Sequence, residues 1–205
     1  TVRTIEHFQA WHRVSKGEVV VDAGAFYGAM TVILAAQTGP AGRVISFEPD
    51  AVSHERVLRN LGLNGSPAHV EVIPEGLWDK RTQIEFWERG ALGSSAFWDG
   101  PGARKVIIQT TTLDEVVAQR RLSRLDFVKM NIEGAEIKAL LGASATIHRL
   151  QPHFAISSDH FLDGNIAAGE RTSGTLENIL REHGYRTETV RYGTEWVTYG
   201  APEGK

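Results

Sequence analysis

The sequence predicts an α/β fold, a three-layer sandwich of helices on both faces of a mostly parallel sheet, and three observations carry that expectation. Short apolar runs rich in β-branched residues alternate with stretches of helical periodicity, the pattern of a parallel sheet wrapped by helices. A glycine-containing turn, Asp22-Ala-Gly24-Ala-Phe-Tyr-Gly28, follows the first of these runs directly. The tail from Tyr185 to Tyr199 then reads as two strands around Tyr192-Gly193-Thr194, close enough to pair antiparallel.

Val19-Val20-Val21 is short and without alternation, as expected of a strand buried on both faces. Met30 to Ala36 is helical and stops at Thr38-Gly39-Pro40, where glycine suits the C-cap and proline blocks continuation. Arg43 to Glu48 is a second strand, closed by Pro49. Asp50 to Asn64 is the next helix, with Val52, Val57, Leu58 and Leu61 at helical spacing. His69 to Pro74 is a third strand, and Gln83–Glu88 and Lys105–Thr110 are two more that can pair with each other. Between those two, Arg89 to Arg104 is rich in small residues and carries Phe97 and Trp98. It reads as a loop able to fold over a bound acceptor and exclude water. Thr112-Leu-Asp-Glu115 has capping-box spacing, so a short helix starts there. Leu125–Ile132 and His153–Ser158 are strands, Glu136–Leu141 and Thr175–His183 helices.

A chain of 205 residues with 41% hydrophobic content supports one domain over residues 1–205, the first 16 reading as a lead-in. Lys and Arg number 22 against 25 Asp and Glu, a formal charge of -3, and no basic run marks a nucleic-acid footprint. The absence of cysteine removes disulfides, thiolate chemistry and Cys-based zinc sites. No apolar stretch reaches the ~20 residues of a membrane span. The expectation is a cytoplasmic protein with neither nucleic acid nor membrane as partner.

The chemistry of the opening turn narrows the ligand. A dinucleotide site would place its first glycine where this chain has Asp22, and a carboxylate there repels a pyrophosphate but accepts hydrogen bonds from a cationic ligand. Glu48, at the end of the second strand, is placed to hold a ribose diol. S-adenosylmethionine combines a cationic centre, an α-amino group and a free adenosine ribose.

The stretches GEVVVDAGAFYGAMT, FEPDAVSHERVLRNLGLNG, TTLDEVV and LDFVKMNIEGAEIKALLGA together resemble the FkbM-family methyltransferases of the class I S-adenosylmethionine-dependent group, across most of residues 17 to 143. The family's usual form has aspartate where this chain has Asn131. The resemblance implies a seven-stranded Rossmann-like sheet with a reversed last strand, and O-methylation of a hydroxyl on a sugar, polyketide or similar small molecule or glycan.

In such a fold the ligand crosses the carboxyl ends of the strands. Asp22, Gly24, Ala25, Phe26, Tyr27 and Gly28 are expected around the methionine part, Glu48, Pro49 and Asp50 at the ribose, and Gly76, Leu77 and Trp78 as a wall for adenine. Trp78 reads equally well as a packing residue. Methyl transfer needs chiefly alignment, while an alcohol also benefits from a general base. The candidates are Lys129, Asn131 and Glu133 after one strand and Asp159 and His160 after another, with His160 the first choice for its unperturbed pKa near ~6.5. Lys129 lies within a buried strand and must either reach Glu133 or another acid or point into the cleft. Asn131, Glu133 and Asp159 offer oxygen to Mg²⁺, but in no recognisable metal spacing, so metal is disfavoured. Two alternatives keep the fold: N-methylation, and a silent cofactor-binding module.

Overall fold

A computed structural model describes residues 2–89, 94–97, 102–162, 165 and 169–204. Along the chain, α1 (Val2–Phe8) leads into β1 (Val19–Ala23), α2 (Ala29–Thr38), β2 (Arg43–Phe47), α3 (Ala51–Leu63) and β3 (Val70–Ile73). Then come β4 (Gly76–Leu77), β5 (Thr82–Glu88), β6 (Arg104–Thr111), α4 (Leu113–Gln119) and β7 (Phe127–Met130). The remainder is α5 (Glu136–Leu141), α6 (Ser144–Leu150), β8 (His153–Ser157), α7 (Ser173–Glu182), β9 (Tyr185–Tyr192) and β10 (Glu195–Pro202).

Seven strands form one sheet in the order β3-β2-β1-β7-β8-β10-β9. All neighbours are parallel except β10, which runs antiparallel to both β8 and β9. The reversed strand inserts between its hairpin partner and β8 rather than closing the edge, so the predicted hairpin completes the main sheet. Alternation along each strand sends Val21, Ile45, Val128 and Ile156 into a core beneath α4 to α7, and Val20, Val44, Phe127 and Ala155 into a second core beneath α1 and α2. Burial on both faces explains why the strands read as continuous apolar runs.

Several elements depart from the sequence expectation. Gln83–Glu88 and Lys105–Thr110 do pair, but as β5 and β6 of a separate three-stranded sheet completed by the two-residue β4. Of the four apolar positions that the spacing on α3 singles out, only Val57 and Leu61 are buried, while Val52 and Leu58 are 42% and 49% exposed. The α3 stripe is therefore narrow, and Asp50 fixes its start by accepting from Ser53 N at 2.8 Å. Thr112 caps α4 through Glu115 N at 3.0 Å, but the reciprocal half of the capping box is absent because the Glu115 carboxylate turns to Arg81 and Thr111. α1 and α6 carry too little periodicity over seven residues each to be read in advance.

Candidate active site

The carboxyl ends of β1, β2 and β7 converge on the glycine turn. Gly24 has φ +78°, and a Cβ built there would lie 1.9 Å from the Asn131 carbonyl oxygen, so β1 and β7 approach each other as only glycine permits. Gly24 N and Ala25 N both donate to the Phe47 carbonyl, tying the turn to β2. Gly28, at φ +85°, delivers the chain into α2, and the Tyr27 carbonyl accepts from Asn60 on α3 at 2.6 Å.

Asp22 lies behind this turn. Its side chain is fully buried, one oxygen accepting from Lys129 Nζ at 2.9 Å and the other from the Thr31 hydroxyl at 2.7 Å. Lys129, 5% exposed, also donates to the Ala23 and Gly24 carbonyls at 3.1 and 2.8 Å. The three protons of the ammonium are thus matched by three acceptors, which settles how a lysine inside a buried strand is tolerated. Asp22 and Lys129 are direct neighbours in the β1–β7 register and so share a face of the sheet, and the Thr31 contact shows it to be the α2 face.

Glu48 is 6% exposed and accepts from Phe26 N at 2.6 Å and Asp50 N at 3.0 Å. Burial pushes its carboxyl pKa up to about 7, against the opposing pull of those two backbone donors. Phe26 adopts a left-handed backbone, φ 56°, which is costly for a bulky residue and is held by its bond to Glu48. An open cleft of about 510 Å³ is lined on one side by Gly24, Phe26, Glu48 and Pro49 and on the other by Asn131, Ile132 and Glu133. It shares Gly24, Pro49, Phe86 and Ile132 with an apolar recess of about 380 Å³ walled by Gly76, Leu77 and Trp78.

The expected lid falls partly outside the described residues, Trp98 included. Within it, the described residues 94–97 cross the cleft from wall to wall. The Ser94 hydroxyl donates to Asp50 at 2.7 Å, the Ser95 hydroxyl donates to the Glu133 carbonyl at 2.8 Å, and the Phe97 ring stacks on Trp78 at 5.7 Å.

On the β7 and β8 side, Glu133 also has a left-handed backbone, φ 55°, followed by Gly134 at φ 101°. His160, after β8, lies between two carboxylates: its Nε2 is 3.6 Å from Glu133 and its Nδ1 3.2 Å from Glu136, the latter at an angle oblique for a directed hydrogen bond. Burial opposes charge on this imidazole, but the Glu136 and Glu133 carboxylates overcome it and push the pKa up to about 11. His160 therefore carries its proton at neutral pH. Asp159 is occupied by the Ser157 hydroxyl at 2.7 Å. Among the described residues, no three His, Asp or Glu side chains are grouped to hold a metal.

Sequence reasoning passed over Glu136, fully buried at the head of α5, which accepts from Ile132 N at 2.8 Å and Gly134 N at 3.0 Å. A glutamate in the first turn of a predicted helix is ordinary, so its only signal was its place in the NIEGAE stretch. Ser94 gave no more than the composition of its loop.

A seven-stranded sheet with one reversed strand, a glycine turn after β1 and an acid after β2 define an S-adenosylmethionine-dependent methyltransferase domain. Residues 22–187 match the methyltransferase FkbM domain, and the chain belongs to that family. It is 25% identical to the AMB antimetabolite synthetase AmbE of Pseudomonas aeruginosa over 86% of its own length and 10% of that protein. It is 23% identical to methyltransferase sdnD of Sordaria araneosa, over 87% of this chain and 76% of that one. The crystal structure of methyltransferase FkbM from Methylobacillus flagellatus superposes with a TM-score of 0.65 at 20% identity, over 95% of this chain and 47% of the other. The chain thus spans about a tenth of one of these proteins and under half of another. No described helix is long and apolar enough to cross a membrane.

Proposed function

We propose that the domain transfers a methyl group from S-adenosylmethionine to a hydroxyl of a small molecule or glycan. The observation that supports this best is the joining of two chemically unlike halves at one sheet edge, a polar cleft at Glu48 and an apolar recess at Gly76, Leu77 and Trp78. The residues fit the donor. The recess suits a flat base, and each Glu48 oxygen, bonded once to backbone, retains a lone pair for a ribose hydroxyl. Gly24, Ala25, Phe26, Tyr27 and Gly28 surround the methionine part, with Asp22 and Lys129 holding the turn from behind. Bound, the cofactor supplies an electrophilic methyl carbon on a sulfonium.

The chain's own task is alignment and one proton, since a well-held pair reaches an effective molarity of ~10⁵ M or more. A hydroxyl acceptor held in the cleft has to give up its proton in the course of the transfer, and the chain would supply the group that takes it. That proton passes to the Glu133 carboxylate, which lines the cleft. Glu133 replaces His160 as the base in this proposal, because an imidazole already protonated takes no further proton. His160 instead holds Glu133 by charge.

Among the described residues, the cleft lining contains Glu48, Glu133, Ser53, Ser94 and Asn131 and no lysine or arginine, which favours an uncharged reacting group over a carboxylate or phosphate. The same acidic lining suits a basic nitrogen, so amine methylation is the second reading. Calorimetry with S-adenosylhomocysteine tests the cofactor half. Glu48→Ala should weaken binding roughly ten- to a hundredfold, as for a lost charged hydrogen bond. No binding by the native protein, or binding indifferent to this change, refutes the assignment.

A further inference from the structure

We infer that Glu136 is a positioning residue for the acceptor side of the site: its buried carboxylate clamps the left-handed Glu133 turn and, on the same side chain, holds the His160 ring against it. The inference rests on the reading of Glu133 and His160 as acceptor-side groups.

The geometry is that of a hub. Oε1 accepts from Ile132 N and lies 3.2 Å from His160 Nδ1, and Oε2 accepts from Gly134 N. The two backbone donors flank Glu133, whose φ of 55° is unfavourable for a residue with a side chain and so requires fixing on both sides. His160 arrives from the neighbouring parallel strand, so one carboxylate fastens the ends of β7 and β8 together.

A helix-capping glutamate would satisfy backbone donors and leave its remaining capacity to water. Glu136 has no exposed surface, so its charge needs a buried counter-charge, and His160 is the group in place. Asp159 accepts from Ser157, and the Arg171 guanidinium donates to the Asp159 carbonyl. Thr172 N holds the His160 carbonyl at 3.0 Å. Glu133, with its side chain 32% exposed, reaches the ring only at 3.6 Å and serves the cleft.

The test is ¹⁵N NMR titration of the His160 imidazole, assigned with His160→Gln, in the native protein, Glu136→Gln and Glu133→Gln, with S-adenosylhomocysteine calorimetry on each. In the native protein and in Glu133→Gln, His160 should stay protonated past about pH 8. In Glu136→Gln its midpoint should fall by about two units or more, with cofactor-product affinity changed less than about threefold. A midpoint unmoved by Glu136→Gln overturns the inference. So does a full fall to the ordinary histidine value in Glu133→Gln, an arm that still decides if Glu136→Gln fails to fold. A tenfold loss of S-adenosylhomocysteine binding in Glu136→Gln would instead assign this carboxylate to the cofactor half. Absence of binding by every form, with the imidazole shifts as expected, would sink the cofactor reading and leave the clamp standing.

Discussion

Replacing Lys129 by methionine keeps the length and most of the volume of the side chain and removes only its charge and donors. Asp22, with no exposed surface, would retain the Thr31 hydroxyl as a donor and lose its counter-ion 2.9 Å away. The Ala23 and Gly24 carbonyls would lose a donor at the same time. Breaking one side of such a buried pair costs about 3 to 5 kcal/mol, a large part of the ~5 to 15 kcal/mol that a domain possesses. Removing both charges, as in Asp22→Asn with Lys129→Met, leaves no uncompensated ion, so the double variant should fall short of the summed single effects by about 1 kcal/mol or more. Urea unfolding followed by far-ultraviolet circular dichroism measures all four proteins. A Lys129→Met loss under about 1 kcal/mol, or strict additivity, would refute the buried pair as the anchor of the turn.

Gly24→Ala places a methyl against the Asn131 carbonyl at a left-handed φ. It should cost about 2 to 5 kcal/mol by the same unfolding assay and eliminate S-adenosylhomocysteine binding. Glu48 makes the ligand-free protein pH-dependent. Its folded pKa of about 7 lies above the ordinary 4.5, so the stability it contributes is full below 4.5 and is lost as pH rises through 7, on the order of 3 kcal/mol in all. Glu48→Gln should flatten that part of the stability profile. Because a ribose diol is held best by the ionised carboxylate, S-adenosylhomocysteine affinity should weaken as pH falls below about 7 in the native protein, and calorimetry at several pH values checks this. Trp78→Ala removes the aromatic wall of the recess and the stack with Phe97. A roughly tenfold loss of S-adenosylhomocysteine affinity is expected, and an unchanged value would show that Trp78 only packs.

The residues most legible in the sequence are those whose backbone or local spacing does the work. Gly24 and Gly28 stand at turn positions that need a positive φ, and the β-α alternation places Glu48 one unit further along. Lys129 was conspicuous as a charge in an apolar strand, but its partner was open among several acids. Only the β1–β7 register, which sets it beside Asp22, chooses. His160 shows the opposite case. Its ordinary pKa made it a base on paper, and two carboxylates brought from the turn after β7 make it a cation.

By itself the sequence determined the alternating architecture, the antiparallel hairpin near the end, and the positions of the glycine turn after the first strand and of the acid after the second. These depend on periodicity, turn chemistry and spacing within one β-α-β unit, all of which are local. The tertiary structure alone decided that Asp22 is sealed behind the turn by Lys129, that β5 and β6 leave the main sheet, that residues 94–97 bridge the cleft, and that Glu136 gathers Glu133 and His160. Each depends on which distant strand ends become neighbours and how far the intervening carboxylates are removed from water, and no stretch of chain encodes that separately.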